Sequence, residues 1–379
     1  MIRTDTSPLP TSTDLSQTQE RETTLAFNVF KGLAILEVVI HHSSGMALRF
    51  LQSESLLYGV LAFINRTLHF AVPAFLFMSA LLLARSALGK PFKVRTFLER
   101  RFVRSALPYV VWTVLYTLFK VVTTPLTFPE ILKLESWIYW LRYGKAYYHL
   151  YFLTIALQFY LLFPLLLPLF RLKLRFFPVL FIALAAQLVV ALANRWLSDF
   201  QLNFQFPATM VWWYLPSILL GMYFGARYAR FYQFWQRYYL LILAATALFG
   251  YAYVNQAYAL LAGESVNNLL YNGANWLYTT AMALVLLGVS HSFVRGRLGT
   301  GPVALWFSNT FEYMGRYSLQ IYLIHPALLF FFGQWGFPGN SFSFVLTLVA
   351  YMALAIVGPL LLARGLEKIN LSGILFGGR

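Results

Sequence analysis

Residues 26–48 read AFNVFKGLAILEVVIHHSSGMAL. At 23 residues the run is long enough to cross a bilayer, whose ~30 Å hydrocarbon core takes about 20 apolar residues of α-helix. It is too long for a signal peptide and no A-x-A-like cleavage site follows it, so it reads as a retained membrane helix. Yet it carries Lys31, Glu37, His41 and His42. Ionisable groups inside a membrane cost several kcal/mol unless paired or hydrated, which makes each a functional candidate.

Nine more stretches repeat the apolar pattern: 67–86, 103–123, 149–170, 176–197, 208–228, 236–256, 268–290, 316–333 and 342–364. The whole chain is 59% hydrophobic and 11% charged, with a mean hydropathy of +0.64. Soluble domains sit near 45–50% and about 25%. An ordinary core could not hide that much apolar surface, so lipid is the solvent for most of the chain. A porin-like barrel is excluded because its strands alternate over about 10 residues, whereas these runs are continuous and about twice as long. The predicted fold class is an all-α, polytopic membrane bundle of about ten transmembrane helices, one embedded domain over residues 25–370. Residues 1–24, rich in Ser, Thr and Pro, read as a disordered cytoplasmic tail, and 371–379 as a short cytoplasmic tail. The stretches 56–64 and 303–311 read as interfacial.

Of the 29 Lys and Arg, only seven (Arg49, Arg66, Lys120, Lys133, Arg142, Lys145 and Arg195) fall in the connections of one side; the other 22 fall on the side of both termini. By the positive-inside rule the termini are cytoplasmic. The same distribution explains the net charge of +16 by lipid topology and not by nucleic acid. The absence of cysteine excludes disulfides, thiol catalysis and Cys-ligated metal. No H-x-x-x-H pair has a nearby carboxylate and no nucleotide-binding glycine loop occurs, so neither metal nor resident cofactor is expected.

The polar set of the first run has a geometry. Eleven residues separate Lys31 from His42, three helical turns plus about 20°, so the two share a face ~16 Å apart along the axis. His41 lies off that face but follows Glu37 at i, i+4. In one reading Lys31 snorkels to the cytoplasmic interface and Glu37 pairs with His41 as buried glue. That leaves His42 unexplained. The other reading makes His42 a general base for a hydroxyl. Arg101 and Arg104, at i, i+3, suit one phosphorylated ligand on one helical face and suit positive-inside topology equally. The connection 131–150 (ILKLESWIYWLRYGKAYYHL) reads as an aromatic belt or as a stacking surface for a sugar. His69 and His291 read as ordinary interfacial side chains.

Five stretches, in order, resemble the signature of the acyltransferase 3 family of multi-pass membrane O-acyltransferases. They are Asn28, Lys31, Gly32 and His42 of the first helix; VPAFLFMSALLL (72–83); RRFVRSALPYV (100–110); YYHLYFLTIALQFYLLFPLL (147–166); and MGRYSLQIYLIHP (314–326). The chain departs from the family pattern with Asn28 for Asp, Lys31 for Arg, Ala80 for Gly and Tyr151 for Trp. Lys keeps the charge of Arg but not its bidentate fork.

The resemblance implies an enzyme of the inner or plasma membrane that uses cytoplasmic acyl-CoA as co-substrate, without a cofactor. It would move the acyl group, most simply acetyl, to a hydroxyl of an extracytoplasmic glycan or glycolipid. His42 would be catalytic, supported by Glu37, His41, His149, Ser318, Tyr322 and His325. Arg101 and Arg104, with Lys31, would hold acyl-CoA. No appended esterase-like domain follows the tenth run, so acceptor delivery is expected of this domain or of a partner protein. The rival reading is a non-enzymatic exporter or flippase of a polysaccharide or lipid-linked sugar.

Overall fold

Backbone polar groups in lipid are satisfied only inside helices or closed barrels, and the described residues form helices with no strand among them. The structure is a computed structural model that describes residues 12–89, 91–124, 128–172 and 174–378. Its helices are α1 (Ser12–Ala47), α2 (Leu56–Thr67), α3 (Ala71–Leu88), α4 (Val94–Arg101), α5 (Leu107–Thr123), α6 (Phe128–Ile131), α7 (Leu134–Tyr143) and α8 (Tyr151–Arg171). They continue as α9 (Phe176–Ser198), α10 (Leu215–Ala226), α11 (Phe231–Leu261), α12 (Asn268–Val294), α13 (Pro302–Arg316), α14 (Ser318–Trp335), α15 (Ser341–Lys368) and α16 (Ser372–Phe376).

All ten expected spans fall on helices, and among the described residues eight helical segments are long and apolar enough to cross a membrane. The other two expected spans differ for local reasons. Tight turns at Pro207–Thr209 and Val211–Tyr214 shorten α10 to 12 residues, and α14 carries Gln320, His325 and Gln334 within its 18.

Two segments correct the reading of the sequence, and a third, at the C-terminal end, adds a helix to it. Residues 12–24, expected to be disordered, are the opening turns of α1, and Glu20 there pairs with Arg85 of α3. No Pro or Gly occurs between Pro10 and Gly32, so the helix only has to propagate outward from the span. Residues 1–11 lie outside the described residues. The C-terminal residues form α16 and seat Phe376, 7% exposed, against Trp112 of α5. The stretch 303–311 belongs to α13, which packs directly on α1: a Cβ at Gly32 would lie 1.9 Å from the Phe311 carbonyl oxygen, and one at Gly315 would lie 1.8 Å from that of Asn28. Two reciprocal glycines thus let the backbones touch, the usual device where lipid supplies no hydrophobic drive between helices.

Two apolar cores share α1 and α8. One joins them to α3 and α9–α12, the other to α5, α14 and α15. The polar residues of the candidate site lie along the seam.

Candidate active site

His42 stands at the centre of a histidine cluster. Its ring lies 5.1 Å from that of His41, 5.5 Å from His325 and 4.9 Å from Tyr148. His325 in turn lies 6.2 Å from His149, and His41 lies 5.4 Å from His69. Four elements deliver these rings: α1, the turn before α3, the turn before α8, and α14. Gly144, at φ +65°, ends α7 and allows residues 145–150 to fold back, which carries His149 inward to zero exposure.

The hydrogen bonds sort the cluster. His41 Nδ1 bonds the Asn65 carbonyl at 2.9 Å, and the Asn65 amide donates back to the His41 carbonyl at 2.7 Å. The expected Glu37–His41 pair is therefore not formed; i, i+4 spacing permits it, but α2 offers His41 a closer partner. Glu37, 4% exposed, instead faces the backbone N–H groups of Phe70 and Ala71 at the start of α3 without completing a hydrogen bond to either. His325 Nδ1 donates to the Ile321 carbonyl at 2.8 Å, which leaves its Nε2 as a bare, buried lone pair. Both ring nitrogens of His149 lack a protein partner. The Tyr322 hydroxyl donates to the His149 carbonyl and fixes that turn against α14. Buried polar atoms are satisfied in the great majority of cases, so the orphans on Glu37, His149 and His325 leave hydrogen-bonding capacity that a ligand could use.

Two cavities approach the cluster. The first, of about 260 Å3, is lined by Glu37, His41, His42 and His69 together with Tyr151, Trp213, Asn272 and Trp276. It shares Ala208, Trp213, Asn272 and Trp276 with a wider vestibule of about 740 Å3 that holds Asn194, Arg195 and Asn203. The second cavity, of about 160 Å3, runs beside Arg104 and Ser105 past Ser318 to Tyr322. Consecutive residues divide the two, Tyr151 facing the first and Phe152 the second. Phe152 lies 5.8 Å from Phe75 and 5.4 Å from Tyr322, ring to ring.

A family model described as an acyltransferase domain matches residues 24–364. The chain belongs to the acyltransferase 3 family. No curated protein and no solved structure gives a significant match.

For an acyltransferase 3 protein the expected site residues divide unevenly. The structure brings together His42, His41, Glu37, His149, Tyr322 and His325 around the seam, and places Ser318 in the cavity below Tyr322. It separates the three basic residues expected to act together. Arg104 lines the second cavity, whereas Arg101 lies over the rings of Phe97 and Tyr160 and lines a neighbouring pocket with Lys93 and Arg100. The reason is a π-helical turn, Phe102–Ala106, which breaks the i, i+3 register between them. Lys31 lies in a third cleft with Asn28, Glu312 and Arg316, and shares no lining residue with the cavity of Arg104. In that cleft the Asn28 amide donates to Glu312 at 3.3 Å, so the carboxylate missing at position 28 is present on α13.

The sequence reading missed His69, which lines the first cavity, and undervalued Tyr147 and Tyr148. Tyr147 stacks on Tyr116 at 4.5 Å, and Tyr148 covers His42. No spacing in the sequence ties them to the first helix. His291, near the C-terminal end of α12, is 6% exposed and bonded to the Tyr228 hydroxyl at 2.6 Å. Among the described residues no group of three or more His, Cys, Asp or Glu is arranged to hold a metal ion.

Proposed function

We propose that the chain is a membrane O-acyltransferase that moves an acyl group, most simply acetyl, from cytoplasmic acyl-CoA to a hydroxyl of an extracytoplasmic glycan or glycolipid. The carrying observation is a pair of cavities beside the histidine cluster, one lined by His41, His42 and His69 and the other reaching Tyr322, whose ring lies 5.3 Å from His149 and 6.2 Å from His325. The narrower one, with Arg104 and Ser318 near its start and aromatic walls toward Tyr322, suits a phosphorylated thioester whose slender arm reaches inward. The wider one, with a carboxylate, amides and tryptophans, suits a polyhydroxylated acceptor. The positive-inside count supports the cytoplasmic assignment of the Arg104 side, ten spans and termini inside.

In this reading His42 takes the proton of the acceptor hydroxyl as its oxygen attacks the thioester carbonyl. The C–S bond then breaks, and the departing CoA thiolate recovers the proton from the imidazolium. His325 and His149 line the proton's surroundings, and Glu37 receives neighbouring acceptor hydroxyls. Acceptor and donor enter separately, so neither needs to cross the membrane intact.

The test is mass spectrometry of envelope glycans and glycolipids from a strain lacking the gene, complemented with the parent or with His42→Ala. Glycan exported without its acyl groups in the deletion and in His42→Ala supports transfer. Glycan retained inside the cell supports an exporter and overturns the proposal.

A further inference from the structure

Pro108 stands four residues after Arg104 and has no N–H, so the Arg104 carbonyl loses its helical donor and the proline ring crowds it. The chain answers with the π-turn Phe102–Ala106, in which Leu107 N–H bonds the Phe102 carbonyl across five residues. A turn of that kind is a local weakness that needs support from outside the helix. The support comes from the C-terminal segment. Gly377, at φ +81°, lies against the Arg104 carbonyl so closely that a Cβ there would be 2.1 Å from the oxygen. One residue back, Phe376 packs on the Trp112 ring at 6.0 Å, and Trp112 Nε1 donates to the Leu375 carbonyl, two residues back, at 2.8 Å. Only glycine satisfies both the positive φ and the contact.

We infer that residues 372–377 clamp the π-turn and thereby aim the Arg104 side chain into the cavity of Ser318 and Tyr322, so that Gly377 and Trp112 are positioning residues for the acyl donor. The inference rests on the proposed donor role of Arg104 and adds what holds that residue in place. Pro108 keeps the turn from returning to regular α-helix, so without the clamp the turn loses its outside support and residue 104 is free to swing out of the cavity.

The experiment measures acetyl-CoA affinity of the purified full chain. Gly377→Val, which strikes the carbonyl, and Trp112→Phe, which keeps the ring but loses the hydrogen bond, should each weaken binding, by about tenfold for the valine. In an Arg104→Ala background the same changes should cost nothing further, because they act through a side chain already removed. Full additivity, or unchanged affinity in both variants where Arg104→Ala alone weakens binding, overturns the clamp. The chain has no cysteine, so the thiol of an Arg104→Cys variant is a unique probe of that position. Its labelling rate should change when Gly377→Val is added, and an unchanged rate overturns the clamp independently of any donor. A changed rate together with undiminished acetyl-CoA affinity in Arg104→Ala would keep the clamp and remove the donor role.

Discussion

His41 and His42 are adjacent in the chain and opposite in function. His41 is locked to Asn65 by two reciprocal hydrogen bonds, at 2.9 and 2.7 Å, whereas His42 faces the cavity and the rings of His325 and Tyr148. His42→Ala should lower the acylation rate by about 10²–10⁴, the range for a general base, with expression and thermal stability near the parent's. Retained activity at matched expression would remove His42 from the chemistry. His41→Ala leaves the Asn65 carbonyl unpaired and should cost about 1–3 kcal/mol of stability, read as a lower melting temperature in detergent. Glu37→Gln should leave stability intact, since no protein group depends on the charge, and should raise the acceptor's KM more than it lowers kcat. A loss of folding in Glu37→Gln would mean that the carboxylate is structural.

At the scale of elements, the crossing of α1 and α13 and the π-turn of α4 and α5 set the geometry. The first is tight because Gly32 and Gly315 have no side chain, so Gly32→Val would force the two backbones apart. It should cost about 1–3 kcal/mol and reduce activity through stability, which a melting curve beside an activity assay separates. The second distributes the basic residues. Arg104→Ala should weaken acyl-CoA binding by about 1–3 kcal/mol, the loss of a charge-assisted contact. Lys31→Ala should leave it unchanged, because Lys31 belongs to the Glu312 cleft and not to the cavity of Arg104. An equal loss in Lys31→Ala would join the two clefts into one donor site.

For the whole molecule the measurable consequence is orientation. Reporter fusions after Gly89 should read cytoplasmic, and fusions after Gln201 and Gly263 external, if the 22 to 7 split of basic residues sets topology. A cytoplasmic signal at Gly263 would remove at least one span and reverse the vestibule of Asn194 and Asn203.

What the sequence determined by itself is what depends on local composition. Runs of about 20 apolar residues commit the chain to membrane helices regardless of neighbours. The five signature stretches identify the family because each is a local pattern and they follow in order along the chain, and the shared face of Lys31 and His42 follows from helical pitch. The tertiary structure decided everything that requires two helices at once. It gave His41 to Asn65, drew His69 to His41 and Tyr148 to His42 from distant turns, and set Glu312 beside Asn28, where residue 28 lacks a carboxylate. It also parted Arg101 from Arg104, since a π-turn enforced by Pro108 and held by Gly377 overrides the regular helical face that the spacing assumes. Helical periodicity predicts which residues share a side of one helix; which partner waits on that side is set by packing between segments far apart in the chain.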